Sequence, residues 1–228
     1  MYKRQISFVA NPGQTVALVG ETGSGKSSII NVLMRFYEFQ SGQVLIDGHD
    51  IREYDYATLR AKMGLVLQEP FLFYGTVASN IRMFNQSISD RQVRAAAQFV
   101  NADDMIESLP RGYDSRVIER GNGYSSGQKQ LISFARTVVT DPKVLILDEA
   151  TANVDTETEE EIQKSLAKLQ SGRTTIAIAH RLSTIQNADL ILVLHQGQII
   201  ERGTNDELMA KKGAYYDMIQ LQNTAHLD

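Results

Sequence analysis

Three groups of residues carry types and spacings that could do chemistry. The first is GETGSGKS at 20–27, which fits G-x-x-x-x-G-K-[ST] and stands between an apolar run, TVALVG, and a helix-periodic one, IINVLMRFY. That context is what gives the pattern meaning. Gly20, Gly23 and Gly25 let the backbone turn so that its N–H groups converge on phosphate oxygens. Glu21, Thr22, Ser24 and Ser28 complete the cradle, Lys26 supplies a compact positive charge for β- and γ-phosphates, and the Ser27 hydroxyl suits Mg²⁺. The second group is Asp148 and Glu149, closing the run VLILDE. Carboxylates at the C-terminal end of a parallel strand face the crevice where ligands bind. Asp148 could hold Mg²⁺ through water, and Glu149 could take a proton from an attacking water. The third is a pair of polar strand ends: His180 after TTIAIA and Gln68 after LVL, the latter a neutral amide able to coordinate Mg²⁺ or orient water. His49, His195 and His226 lack such a setting and read as surface residues. Together these groups suffice for Mg²⁺-dependent nucleotide hydrolysis by a positioned water. The guanine-reading N-K-x-D pattern is absent, which favours ATP.

The elements that must hold these residues follow from periodicity. Short Val/Ile/Leu-rich runs at 5–9, 15–20, 44–48, 63–68, 143–150 (ending in two acids), 174–180 and 189–200 read as strands, the last as two strands around a Gln-Gly turn. From about 71 to 140 helical patterns dominate, with Ser89 or Asp90 as an N-cap and the loop GYSSGQ (123–128) feeding KQLISFAR. Helix patterns return at 156–170, 205–212 and 215–222. Strand–helix alternation interrupted by a helical block implies an α/β core with a mainly parallel sheet and an inserted helical subdomain. The expected division is core and β lobe at 1–70 and 141–228, helical subdomain at about 71–140.

Composition removes several alternatives. A net charge of −4 argues against broad nucleic-acid binding, which needs a basic face. With no cysteine there is no disulfide, thiolate catalysis or cysteine zinc site. No apolar run approaches the length of a membrane span, so the sequence reads as soluble, working at a membrane only through something else.

With these residues in order, the chain resembles the nucleotide-binding domain of an ATP-binding cassette (ABC) transporter along essentially its whole length. The motifs are GETGSGKS, Gln68, YSSGQ, VLILDE, ATANVD (150–155) and His180. QEPFLFYGTVASNI (68–81) and VIERG (117–121) are similar to exporter segments. The resemblance implies a P-loop NTPase (RecA-like) core, a small antiparallel β lobe and ATP with Mg²⁺ as ligands. It implies Glu149 as general base, Lys26 and His180 on the γ-phosphate, and Ser27, Gln68 and Asp148 around Mg²⁺. It implies two partners: a transmembrane domain touching the segment around 69–85, and a second nucleotide-binding domain packed head to tail. In that arrangement Ser125, Ser126, Gly127, Gln128 and Asp155 act in trans on the partner's ATP, at the cytoplasmic face of a membrane. The family's aromatic A-loop residue lies well ahead of the phosphate-loop lysine; Tyr2 is too close to Lys26 for that role, so the β lobe is expected to be N-terminally truncated. Against the family's LSGGQ, Tyr124 stands for Leu and Ser126 for Gly. Ser126 could crowd a phosphate or forbid a positive φ that glycine allows. That departure points to a degenerate signature and a heterodimer whose other chain carries LSGGQ. Non-transport ABC ATPases and a non-hydrolysing regulatory module are the competing readings.

Overall fold

The computed structural model describes residues 6–83, 85–148, 156–179 and 182–225. Chain order is β1 (Thr15–Val19), α1 (Lys26–Leu33), β2 (Leu45–Ile46), β3 (His49–Asp50), α2 (Tyr56–Ala61), β4 (Met63–Val66), β5 (Gly75–Thr76), α3 (Val77–Ile81), α4 (Asp90–Phe99) and α5 (Asp103–Glu107). It continues with β6 (Arg116–Val117), α6 (Ser126–Val138), β7 (Val144–Asp148), α7 (Thr156–Gln170), β8 (Thr174–Ile178), α8 (Leu182–Gln186), β9 (Leu190–His195), β10 (Gln198–Gly203), α9 (Asn205–Lys211) and α10 (Ala214–Ala225). The chain forms two compact units: residues 1–60, 146–150 and 174–228, and residues 61–145 and 151–173.

In the first unit the strand order is β10-β9-β1-β8-β7, β7 contributing from Ile146 onward. β1 runs parallel to both β8 and β9, with Ala17 opposite Ala177 and Ile191. β9–β10 is antiparallel, turning through Gln196–Gly197 and bulging between Ile199 and Glu201. The sequence dictates this arrangement: TVALV is buried over four consecutive positions, as a strand covered on both faces must be. One face of the sheet packs Ala17, Val19, Ile191 and Val193 against Ile185, Leu208, Tyr215 and Ile219. A two-stranded antiparallel ribbon, β2–β3, pairs Leu45 with Asp50 and Ile46 with His49.

The second unit centres on α6, whose apolar residues Leu131, Ile132, Phe134 and Ala135 are buried, and which packs against α3, α4, α7 and β4. Gly64 of β4 makes the last contact close: a Cβ there would lie 2.6 Å from Thr137 Cγ2 and 2.9 Å from Pro142 Cγ. β5 and β6 pair antiparallel, Gly75 opposite Val117 and Thr76 opposite Arg116.

Three expectations are corrected. Residues 6–9 form no strand; Ser7 contributes a carbonyl to the Arg202 guanidinium rather than to a ladder, and without a paired neighbour extended chain is not a strand. Residues 44–48 give two strand residues, because Asp47 and Gly48 turn with positive φ. Gln68 does not end a strand: β4 stops at Val66, and Gln68 lies exposed in the bend beyond.

Candidate nucleotide site

The phosphate loop joins β1 to α1 within the first unit. Gly20, Gly23 and Gly25 all take positive φ (145°, 82° and 109°). At Gly20 the requirement is also steric, since a Cβ would stand 2.3 Å from the Leu194 carbonyl oxygen. Gly25 is the N-cap of α1 and offers no side-chain cap, so the unpaired N–H groups of the helix's first turn are left for an external acceptor. The Ser24 N–H bonds the Glu21 carbonyl at 3.1 Å, and the Gly197 N–H donates to the Ser24 carbonyl at 2.8 Å. The turn between β9 and β10 thus braces the loop from behind.

Lys26 is 7% exposed and curls back into this loop. Its Nζ donates to the Gly20 carbonyl at 2.6 Å, the Glu21 carbonyl at 2.9 Å and the Ser24 hydroxyl at 3.4 Å. Burial pulls the ammonium below the usual lysine range, and the Asp148 carboxylate at the end of β7 acts against that pull. The Asp148 charge is thus felt at Lys26. Glu21, Thr22, Gly23, Ser27 and Ser28 line the exposed side of the loop, while Ser24 is buried against Lys26 and serves the loop's own structure. Exposed hydroxyl Ser27 and carboxylate Asp148 are hard oxygen donors of the kind Mg²⁺ takes when phosphate oxygens and water complete its shell. Among the described residues no group of three or more His, Cys, Asp or Glu could hold a metal by itself. Glu149, Asp155 and His180 lie outside the described residues.

In the second unit GYSSGQ opens α6. Ser125 is the N-cap, with its hydroxyl accepting from the Gln128 N–H at 3.2 Å and its own N–H donating to Gln128 Oε1 at 2.9 Å. This reciprocal capping box fixes the direction of the helix N-terminus. Ser126 is the first helical residue and is absent from the positive-φ positions, so the backbone objection to serine there falls. A helix's first position demands no glycine. Gly127 is buried and Gln128 half-buried beneath the cap.

Motif reading passed over several residues that support these loops. Gly197 could have been found only as a turn glycine. Arg136 and Asn80 were signalled faintly, as polar residues set within the apolar patterns ISFARTVV and TVASNI.

Comparison with known proteins decides the family. A family model for ABC transporters matches residues 3–152. The chain belongs to the ABC transporter family. It is 63% identical over 98% of its length to exp8 of Streptococcus pneumoniae, named as an ABC transporter ATP-binding protein, of which it covers 38%. It is 47% identical over 96% of its length to an ATP-dependent lipid A-core flippase of Syntrophus aciditrophicus, covering 36% of that protein. A bacterial Atm1-family ABC exporter solved with ATP bound superposes with a TM-score of 0.87 at 44% identity, over 95% of this chain and 38% of that one. The chain thus spans little more than a third of the length of each of these three proteins. It is an ABC ATP-binding domain, from a family that hydrolyses ATP to drive transport, on an α/β P-loop fold. No helix among the described residues is long and apolar enough to cross a membrane.

Proposed function

We propose that this ABC domain binds and hydrolyses ATP to power export of a substrate across a membrane, working at its cytoplasmic face. The observation that carries the reading is Lys26: a buried ammonium folded into a three-glycine loop at a helix N-terminus, opposed by the Asp148 carboxylate. A γ-phosphate entering this loop would meet backbone N–H groups and an ammonium already fixed in place, which is electrostatic preorganisation. Mg²⁺, held by Ser27 and Asp148 with Gln68, would neutralise charge developing on the phosphates. Glu149 orients and deprotonates the attacking water, and His180 holds the γ-phosphate. The functional lobes are assigned as 1–70 with 141–228, and about 71–140, a division by role that gives 61–70, 141–145 and 151–173 to the first lobe although they belong to the second compact unit.

The site is completed by a second domain. The capped N-terminus of α6, with Ser125, Ser126, Gly127 and Gln128, and with Asp155, contacts the ATP held by the partner's loop. The partner is a different chain carrying LSGGQ, Ser126 being the residue that weakens this chain's signature by bulk rather than by backbone conformation. A transmembrane domain docks on the segment around 69–85, where Phe71, Phe73 and Tyr74 are exposed. The relatives named for lipid A-core flipping and for fatty acid transport favour an amphiphilic cargo.

In the full-length transporter, Lys26→Ala should abolish the thermal shift given by ATP. Glu149→Gln should keep that shift and lower turnover by at least about a hundredfold, as loss of a general base does. A Lys26→Ala protein that still binds ATP would sink the reading of the loop, and full turnover in Glu149→Gln would remove Glu149 from the base role.

A further inference from the structure

Helix α6 presents its N-terminus at the signature and, a few turns later, Arg136 from its last turn. The Arg136 side chain spends its donors on one short stretch of chain. Nη1 donates to the Phe71 carbonyl at 2.8 Å, Nε to the Asn80 carbonyl at 2.9 Å and Nη2 to Asn80 Oδ1 at 2.9 Å. The guanidinium carbon sits 5.4 Å from the centre of the Phe73 ring, which meets the Phe71 ring edge-on at 4.9 Å. Asn80, fully buried, extends the grip: Oδ1 accepts from the Phe73 N–H at 2.7 Å, and Nδ2 donates to the carbonyls of Phe73 at 2.8 Å and Thr76 at 3.0 Å. Burial lowers the Arg136 guanidinium to about 10, still protonated at neutral pH and held by oriented carbonyls instead of a carboxylate.

Two further links reach the same stretch from the signature side. The Tyr124 hydroxyl donates to the Arg116 carbonyl at 3.2 Å, and Arg116 lies opposite Thr76 in the β5–β6 ladder, beside the Val77 N–H to Ser115 carbonyl bond of 3.1 Å. Leu72, fully buried between the exposed Phe71 and Phe73, packs on Gly121, where a Cβ would come within 3.1 Å of Leu72 Cδ1. The Phe71–Tyr74 segment is therefore held by α6 directly through Arg136, and indirectly through Asn80, the β5–β6 pair and the residues that lead into the signature. Leucine at position 124 would have no hydroxyl to make the first of these links.

We propose that Arg136 and Tyr124 are positioning residues that make α6 and the Phe71–Tyr74 segment one mechanical unit, so that nucleotide met by the helix N-terminus is felt at the aromatic segment. This rests on the reading that the α6 N-terminus contacts ATP. A displacement of a stiff helix is carried to a segment tied to it by one charge-assisted bond at Phe71 and a ring contact at Phe73, with two more charge-assisted bonds to Asn80, which itself grips Phe73. By linkage, whatever occupies the aromatic segment biases nucleotide affinity by the same free energy.

The chain has no cysteine, so Tyr74→Cys, at a side chain 74% exposed in this domain and facing the surface where the transmembrane domain is proposed to dock, gives a unique labelling point that reports on that surface once cysteines elsewhere in the full-length transporter are replaced. With an environment-sensitive dye at that point, saturating adenylyl imidodiphosphate with Mg²⁺ should change the emission. Arg136→Lys, which keeps charge but loses the fork, and Tyr124→Phe, which loses only the hydroxyl, should each shrink that change, and together by at least about fivefold. Saturation is verified by displacement of a fluorescent ATP analogue and folding by the thermal midpoint, neither of which should account for the loss. An undiminished response in the double variant overturns the proposal. So does a parent protein that binds the nucleotide and shows no response at position 74. A parent that binds no nucleotide overturns the underlying functional reading instead.

Discussion

Asp50 illustrates how a single residue's chemistry becomes a stability statement. It caps a short 3-10 turn through the Arg52 N–H at 3.0 Å and takes both Nε (2.9 Å) and Nη2 (2.6 Å) of the Arg52 side chain. That fork, with the backbone bond, pushes its carboxyl down to about 2. A depressed folded-state value means the contribution is complete above the ordinary carboxylate range and disappears as pH falls through about 2. Asp50→Asn should therefore lower the urea midpoint at pH 7 and match the parent near pH 2; a constant difference across that window would exclude the linkage. Lys26, Asp148 and the loop glycines were legible at this scale because phosphate binding demands those residue types at that spacing. Of the two objections the sequence raised to Ser126, the backbone one falls because the Ser125–Gln128 box makes it the first helical residue, which spacing alone did not reveal. The contacts of Arg136 and Tyr124 were not legible because most of their partners are main-chain carbonyls, which carry no sequence signature.

At the scale of elements, the helices were read best where caps and periodicity agree. Ser89 caps α4 with a Gln92 box, as Ser125 does α6. β5 and β6 were invisible, since two-residue strands have no period to detect. Gln68 was placed one element too early because apolar character outlasts pairing: Leu67 is apolar yet exposed. A close seam between elements in the second unit is β4 on α6, and it depends on Gly64. Gly64→Ala would force its new methyl against Thr137 and Pro142, and should cost about 1–3 kcal/mol, as overpacking does. Urea unfolding reads this directly. Pairing Gly64→Ala with Thr137→Ser, which removes the obstructing methyl, should recover part of the loss, and no recovery would show that the clash lies elsewhere.

For the whole molecule, the question is what the chain must meet in order to work. Its signature and its phosphate loop belong to different compact units and, in the proposed dimer, serve different ATP molecules. If the chain pairs with an LSGGQ-bearing partner, full-length half-transporter alone should turn over ATP several-fold more slowly per site than the mixed dimer. Equal turnover per site would make the pair a homodimer and Ser126 a neutral substitution. The fold class was readable from alternation of apolar runs and helical patterns alone, because burial on two faces leaves so little freedom in a parallel strand. The bracing of the phosphate loop was not, because it joins segments far apart in the chain. Gly20 meets the Leu194 carbonyl, and the Gly197 N–H holds the Ser24 carbonyl. In hereditary terms, residues 20–25 and 194–197 are a single locus written in two places. A change in the hairpin's length or register would be inherited as a change in the loop, and lineages that alter one segment should be found to have altered the other.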